Sequence, residues 1–206
     1  MSVDNPLAAS LTNDSFGVAG DVKIDLSDDE MEFIQELADE RNKSYQDGRT
    51  TDDNWSSKGG DDIHVQGLMA EFGLMLAYDE CELDTSVSAS GDGGLDGEIE
   101  IDGKKMTYDV KSDDYDGRNP SLMVARKNHE KRSETPDVYI SAFVDEGNGI
   151  IRFRGWIDST DLLDADNLAT SPAPHLDHHN YDVECSVLES MPEPDVDSGD
   201  RIRYSV

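Results

Sequence analysis

Residues 94–112 read GLDGEIEIDGKKMTYDVKS, and their alternation decides how the middle of the chain folds. At the centre stands Asp102-Gly103, a dipeptide suited to a two-residue type I′ turn because both positions need positive φ. Such a turn pairs Ile101 with Lys104 and fixes the register. Leu95, Ile99 and Ile101 then share one face with Met106, Tyr108 and Val110, while Asp96, Glu98, Glu100, Lys105, Thr107, Asp109 and Lys111 share the other. A one-residue slip would mix the two sets. The same register sets Asp96 opposite Asp109. Directly opposed Cβ atoms lie about 4.5–5.5 Å apart, where like charges destabilise a sheet, so the pairing asks for a reason.

A divalent cation supplies one. Hard cations such as Mg²⁺ take oxygen ligands, commonly one or two carboxylates with waters and substrate phosphates completing the shell. Lys111 lies two residues beyond Asp109 and therefore on the same face. There its ammonium would orient a metal-bound water and stabilise developing phosphate charge. These are the parts of a phosphodiester hydrolysis site. The same Asp-x-Lys pattern also suits a plain solvated face in so acidic a chain. GDGGLDGEI has the look of one turn of a calcium-binding repeat, but a single copy has nothing to stack on. EF-hand spacing fails, since position twelve counted from Asp92 is Gly103.

GDGGLDG at 91–97 followed by YDVKS at 108–112 resembles the PD-(D/E)XK nuclease superfamily. The GDGG-x-D form is similar to that of certain restriction endonucleases and of phage and archaeal-virus nuclease-like proteins. The resemblance covers roughly residues 60–157. It implies an α/β fold with a restriction-endonuclease-like core, a mixed central β-sheet flanked by helices. It further implies Asp96 and Asp109 as ligands of Mg²⁺ or Mn²⁺, Lys111 as the catalytic lysine, and Glu71 of GLMAEFG as an auxiliary ligand or orienting group. The implied activity is endo- or exonucleolytic hydrolysis of DNA. Leu95 replaces the motif's nominal proline and Asp109 stands where glutamate is commoner; both are tolerated in that superfamily. The rival expectation is a catalytically inactive nuclease-fold protein that binds DNA or serves a virus structurally. Double-strand cutting would call for a homodimer, which no residue in the sequence specifies.

Composition bears on the partner. The chain has 206 residues, with 47 acidic against 17 basic, a formal net charge of -30 and a pI near 4.1. The acidic residues are spread between well-formed apolar periods, as in a folded protein with a hydrated acidic surface working in near-molar salt. At that ionic strength charge repulsion is screened within about 3 Å, so net charge does not exclude DNA. It does exclude counterion release as the chief source of affinity. The concentrated basic segment is RKNHEKR at 126–132, where Arg126, Lys127, Lys131 and Arg132 are candidate DNA contacts and a solvated turn is the equal alternative. Arg152 and Arg154 alternate along a strand and are read the same way.

Cys81 and Cys185 provide no disulfide framework and are expected as reduced thiols. HLDHH at 175–179, near Cys185, matches no closed zinc site. MSVDNPLAAS lacks the basic residues of a signal peptide, and FGLMLAY at 72–78 is too short to span a bilayer. The expectation is a soluble protein without a membrane partner, in the cytoplasm of a high-salt cell or of a virus's host.

Four segments follow. Residues 1–25 read as a flexible arm. Residues 26–61 hold a helix opened by a Ser27/Glu30 capping box, with a Met31, Ile34, Leu37 and Ala38 stripe, and then a loop. Residues 62–160 form the nuclease-like core: a nearly all-apolar helix over 63–78, the hairpin, and strands at 120–126, 137–145 and 149–158. Gly67 and Gly73 in that helix predict close approach by a neighbour. Residues 161–206 form an extension packed on the core, with a strand at 181–188 and a loose end from Pro192.

Overall fold

A computed structural model describes residues 20–48, 60–83, 85, 95–130, 133–170, 179–195 and 201–204. The hairpin forms in the expected register: β2 (Gly97–Ile101) runs antiparallel to β3 (Lys104–Asp113), with Ile101 opposite Lys104 and Gly97 opposite Tyr108. Asp102 and Gly103 have φ of 53° and 75°, as the I′ turn requires. Gly97 is needed because a Cβ there would stand 2.8 Å from the Tyr108 hydroxyl, whose ring crosses it from the neighbouring strand. An aromatic laid over an edge-strand glycine is a known way to pin register.

Among the described residues, six strands form a mixed sheet in the order β2-β3-β5-β6-β1-β9, with β1 (Val22–Asp25), β5 (Val138–Asp145), β6 (Ile150–Asp158) and β9 (Ile202–Tyr204). β3 and β5 are parallel, and the other neighbours are antiparallel. A parallel pair needs a crossover, supplied here by β4 (Ser121–Ala125) and the short α3 (Arg126–Glu130). Helices α1 (Asp28–Gly48) and α2 (Gly60–Ala77) bury Ile34, Leu37, Leu68, Met69 and Leu74 against Ile99, Tyr108, Val110, Ile140 and Phe153 of the sheet. α1 starts at the expected capping box, with Ser27 N–H donating to Glu30 Oε2 at 2.8 Å. α2 is buried as its composition requires. Gly73 lets it approach β6, since a Cβ there would meet Ile151 Cδ1 at 2.9 Å, whereas Gly67 has nothing within 4 Å and that expected contact is absent.

Three departures follow. The face of the sheet opposite α1 and α2 carries, besides short helices, a second, three-stranded sheet that the sequence did not announce, β4-β8-β7, with β7 (Leu168–Thr170) and β8 (His179–Glu184). Leu122, Val124 and Val183 of that sheet close a separate core with Tyr139 and with Leu162 of α4 (Ser159–Leu162). PSLMVAR therefore leaves the main sheet, because its inward residues find apolar partners on β8. Second, residues 22–25 are not part of an irregular arm but form β1. Third, the end is tied down at 202–204, where β9 pairs with β1. Both are runs of three or four residues, too short for alternation to register. Among the described residues no helix is long and apolar enough to cross a membrane.

Candidate active site

Alternation places Asp96, Glu98, Glu100, Asp109 and Lys111 on one side of the hairpin, but that side is not uniform. Glu98, Glu100 and Lys105 are exposed near the turn, whereas Asp109 is only 1% exposed. The cause is the second sheet: Asp109 lies beside Tyr139 in the β3–β5 register, and Tyr139 is part of the core beneath β4 and β8. A polar stripe on a hairpin thus becomes a buried carboxylate at its open end.

Asp96 stands one residue before β2. Its N–H donates to the Tyr108 carbonyl at 2.9 Å, and its Oδ2 accepts the Val110 N–H at 2.8 Å. The side chain continues the β2–β3 ladder beyond Gly97, the first residue of β2, which sets the carboxylate at the mouth of the hairpin. Burial and then the Asp109 charge push the Asp96 carboxyl well above its ordinary range, with Glu71 adding to the effect. The Lys111 ammonium and the Val110 N–H pull the other way. Lys111 Nζ donates to Asp109 Oδ1, and a third of its side chain remains open to solvent. The fourth member, Glu71, reaches the site from α2 and has Arg41 Nη1 of α1 at 3.8 Å from its Oε2, both side chains less than a fifth exposed.

All four expected site residues therefore gather at the open end of the hairpin. Among the described residues no group of three or more His, Cys, Asp or Glu side chains is arranged to hold a metal ion. The donor set nonetheless suits a hard cation. Asp96 and Asp109 offer oxygens only, and two carboxylates are the usual protein share of a Mg²⁺ shell. Mutual repulsion between them is relieved by a cation.

Of the expected DNA contacts, Arg126 and Lys127 are exposed on α3, with Arg126 ion-paired to Glu130 at 2.6 Å; Lys131 and Arg132 lie outside the described residues. Residues 91–94 of the GDGG stretch and 175–178 of HLDHH lie outside them too. Arg154 is not a surface cation. Its side chain is 4% exposed and its guanidinium grips Asp113 through Nη1–Oδ2 at 2.7 Å and Nη2–Oδ1 at 3.1 Å. Arg152 pairs with Asp116, and both arginines lie over the Phe143 ring. A bulge in β6 turns Arg154 inward, for Ser141 faces Gly155 while Ala142 faces Phe153. Gly155, at φ 132°, allows this with Glu189 O only 2.4 Å from where a Cβ would sit. A glycine inside RFRGWI was the available signal. Nothing in the sequence pointed to Arg41. Cys81 and Cys185 are both free and buried, with Cys185 Sγ 3.4 Å from Ser141 Oγ.

Comparison with known protein families, with curated proteins and with solved structures finds no match.

Proposed function

We propose that this chain is a divalent-metal-dependent DNA nuclease with a restriction-endonuclease-like core of PD-(D/E)XK type, adapted to high salt inside a halophilic cell or the host of a virus. The observation that supports this reading best is the carboxylate pair Asp96 and Asp109 at the mouth of the hairpin, with an amine from two residues along the same strand bonded to it. A merely solvated face would not bury Asp109.

In this reading Asp96 and Asp109 would hold Mg²⁺ or Mn²⁺, which would supply a water of lowered pKa and neutralise phosphate charge. Asp96 is positioned for this by the Val110 N–H, which fixes one of its oxygens. Lys111, whose ammonium is bonded to Asp109 and partly open to solvent, would face the phosphate and stabilise the charge that develops as water attacks phosphorus and the sugar oxygen departs. Arg41 holds Glu71 behind the pair, as a positioning group for the carboxylate cluster.

A second reading is a nuclease-fold DNA-binding or virus-associated structural protein without turnover. It is favoured by one feature: each carboxylate already has a protein partner, the Val110 N–H, the Lys111 ammonium or the Arg41 guanidinium.

Cleavage of supercoiled, linear and branched DNA in near-molar KCl with Mg²⁺, Mn²⁺ or EDTA, comparing the parent with Lys111→Ala, separates the two. Metal-dependent nicking lost in the variant supports the nuclease. A folded parent that cuts none of the three, yet is stabilised by metal, supports the binding protein.

A further inference from the structure

Four large apolar or aromatic side chains stay exposed among the described residues: Phe33, Tyr115, Met123 and Val187. Tyr115 is the one that follows the carboxylate strand. It lies four residues beyond Lys111, so the two Cα atoms are no more than about 14 Å apart. Exposed tyrosines are common, but this one is fixed from several sides. Its N–H donates to Asp113 Oδ1 at 2.8 Å, and its carbonyl accepts from Arg154 Nη2, the same guanidinium that grips Asp113. Its ring rests directly on Gly117, where an added Cβ would come within 1.9 Å of Cζ. The residue is nevertheless 54% exposed. A ring backed by glycine, on a backbone held by Asp113 and the buried Arg154, is an aromatic plate placed before anything binds.

The surroundings fit a base rather than a phosphate. Acidic residues crowd this loop, but Asp113 is neutralised by Arg154 and Asp116 by Arg152. A chain of net charge -30 in near-molar salt gains little from phosphate contacts. Stacking on an aromatic is insensitive to sequence and does not depend on counterion release. Bases within a duplex are covered on both faces by their neighbours, so away from a duplex end it is an unpaired nucleotide that offers a face.

We infer that Tyr115 is a stacking platform for an unpaired base next to the scissile phosphate, so that the substrate is single-stranded DNA or DNA with unpaired nucleotides at the cut. This rests on the nuclease reading and names its substrate class. A base on Tyr115 belongs to a nucleotide neighbouring the one held at Asp96, Asp109 and Lys111. Gly117 is part of the device, because a methyl group there displaces the ring.

The test is equilibrium binding of a fluorescent oligonucleotide, single-stranded or as a blunt duplex, in near-molar KCl with Mg²⁺, on a Lys111→Ala background that suppresses turnover. The expected result is tighter binding of the single strand. Adding Tyr115→Ala weakens that binding about 5- to 150-fold, Tyr115→Trp preserves it, Gly117→Ala weakens it with the tyrosine still present, and duplex binding is unchanged throughout. A Tyr115→Ala protein that binds the single strand as before, or a preference for blunt duplex, overturns the inference while leaving metal-dependent cleavage by the parent to stand. A folded parent that neither binds nor cleaves either DNA overturns the nuclease reading and this inference with it.

Discussion

The two ends of one hairpin obey different rules. At the turn, Glu100 faces Lys105 across the ladder and Glu98 forms an ion pair with Lys105, all of them exposed. At the mouth, the same face sets Asp96 against Asp109, with Asp109 buried. Opposite charges meet where water would have screened a mismatch, and like charges meet where it cannot. Cross-strand complementarity is the ordinary outcome of sheet stability, so the turn end needs no function to explain it. The mouth does, because burial raises the energetic penalty of every unbalanced charge. A local conflict between pairing rules and burial is where a site is expected.

The largest effect expected at the mouth is on turnover. Asp109→Asn should lower metal-dependent cleavage at least about 100-fold with an unchanged far-ultraviolet dichroism spectrum, while Glu98→Gln at the turn leaves the rate as it was. Equal losses in both variants would remove the contrast. Next comes metal linkage. Mg²⁺ at about a hundred times its dissociation constant should stabilise the parent by about 2.7 kcal/mol, roughly 5–10 °C in thermal midpoint for a chain of this size. Asp109→Asn should show little of that shift.

The third effect is the repulsion itself. In EDTA at neutral pH, Asp96→Asn should raise stability by about 1 kcal/mol, or about 2–4 °C, since an amide still accepts the Val110 N–H and no longer opposes Asp109. The pH dependence has a definite sign. Asp96 has a raised carboxyl in the folded state, so between the ordinary carboxylate range and that raised value the folded chain holds a proton that the unfolded chain has lost. Stability of the metal-free parent should therefore fall as pH rises through this window and level off above it, with a shallower slope in Asp96→Asn. A slope unchanged by the substitution would place the titrating group elsewhere.

Much of this was legible because period-2 alternation and an Asp-Gly turn fix a register without help from the rest of the chain. The positions of Asp96, Asp109 and Lys111 follow from counting outward from Asp102-Gly103. Burial does not follow from counting. Asp109 and Glu98 look alike in sequence, and only the β4-β8-β7 sheet, assembled from segments some 60 residues apart, separates them. The same limit hid Arg154. As one of two alternating arginines it read as a surface cation, until the bulge at Gly155 turned it toward Asp113. Arg41 was invisible for a related reason, since its partner Glu71 lies on another helix. Residues whose positions depend on one ladder lie where counting puts them; the burial of Asp109 and the partners of Arg154 and Glu71 depend on packed elements that counting does not reach.

The smallest effect gives the comparison its control. Lys105→Ala removes the cation from the turn end, where both it and Glu98 are more than half exposed. Exposed pairs gain modest Coulomb energy against side-chain ordering, and near-molar KCl screens what remains within about 3 Å. The midpoint should move by less than about 1 °C there. At low salt it should fall measurably, because Glu98 and Glu100 then face each other's field without Lys105 between them. If instead Lys105→Ala shifted stability at high salt as much as Asp96→Asn does, burial would not be what distinguishes the two ends. The paired aspartates would then be one more feature of an acidic surface.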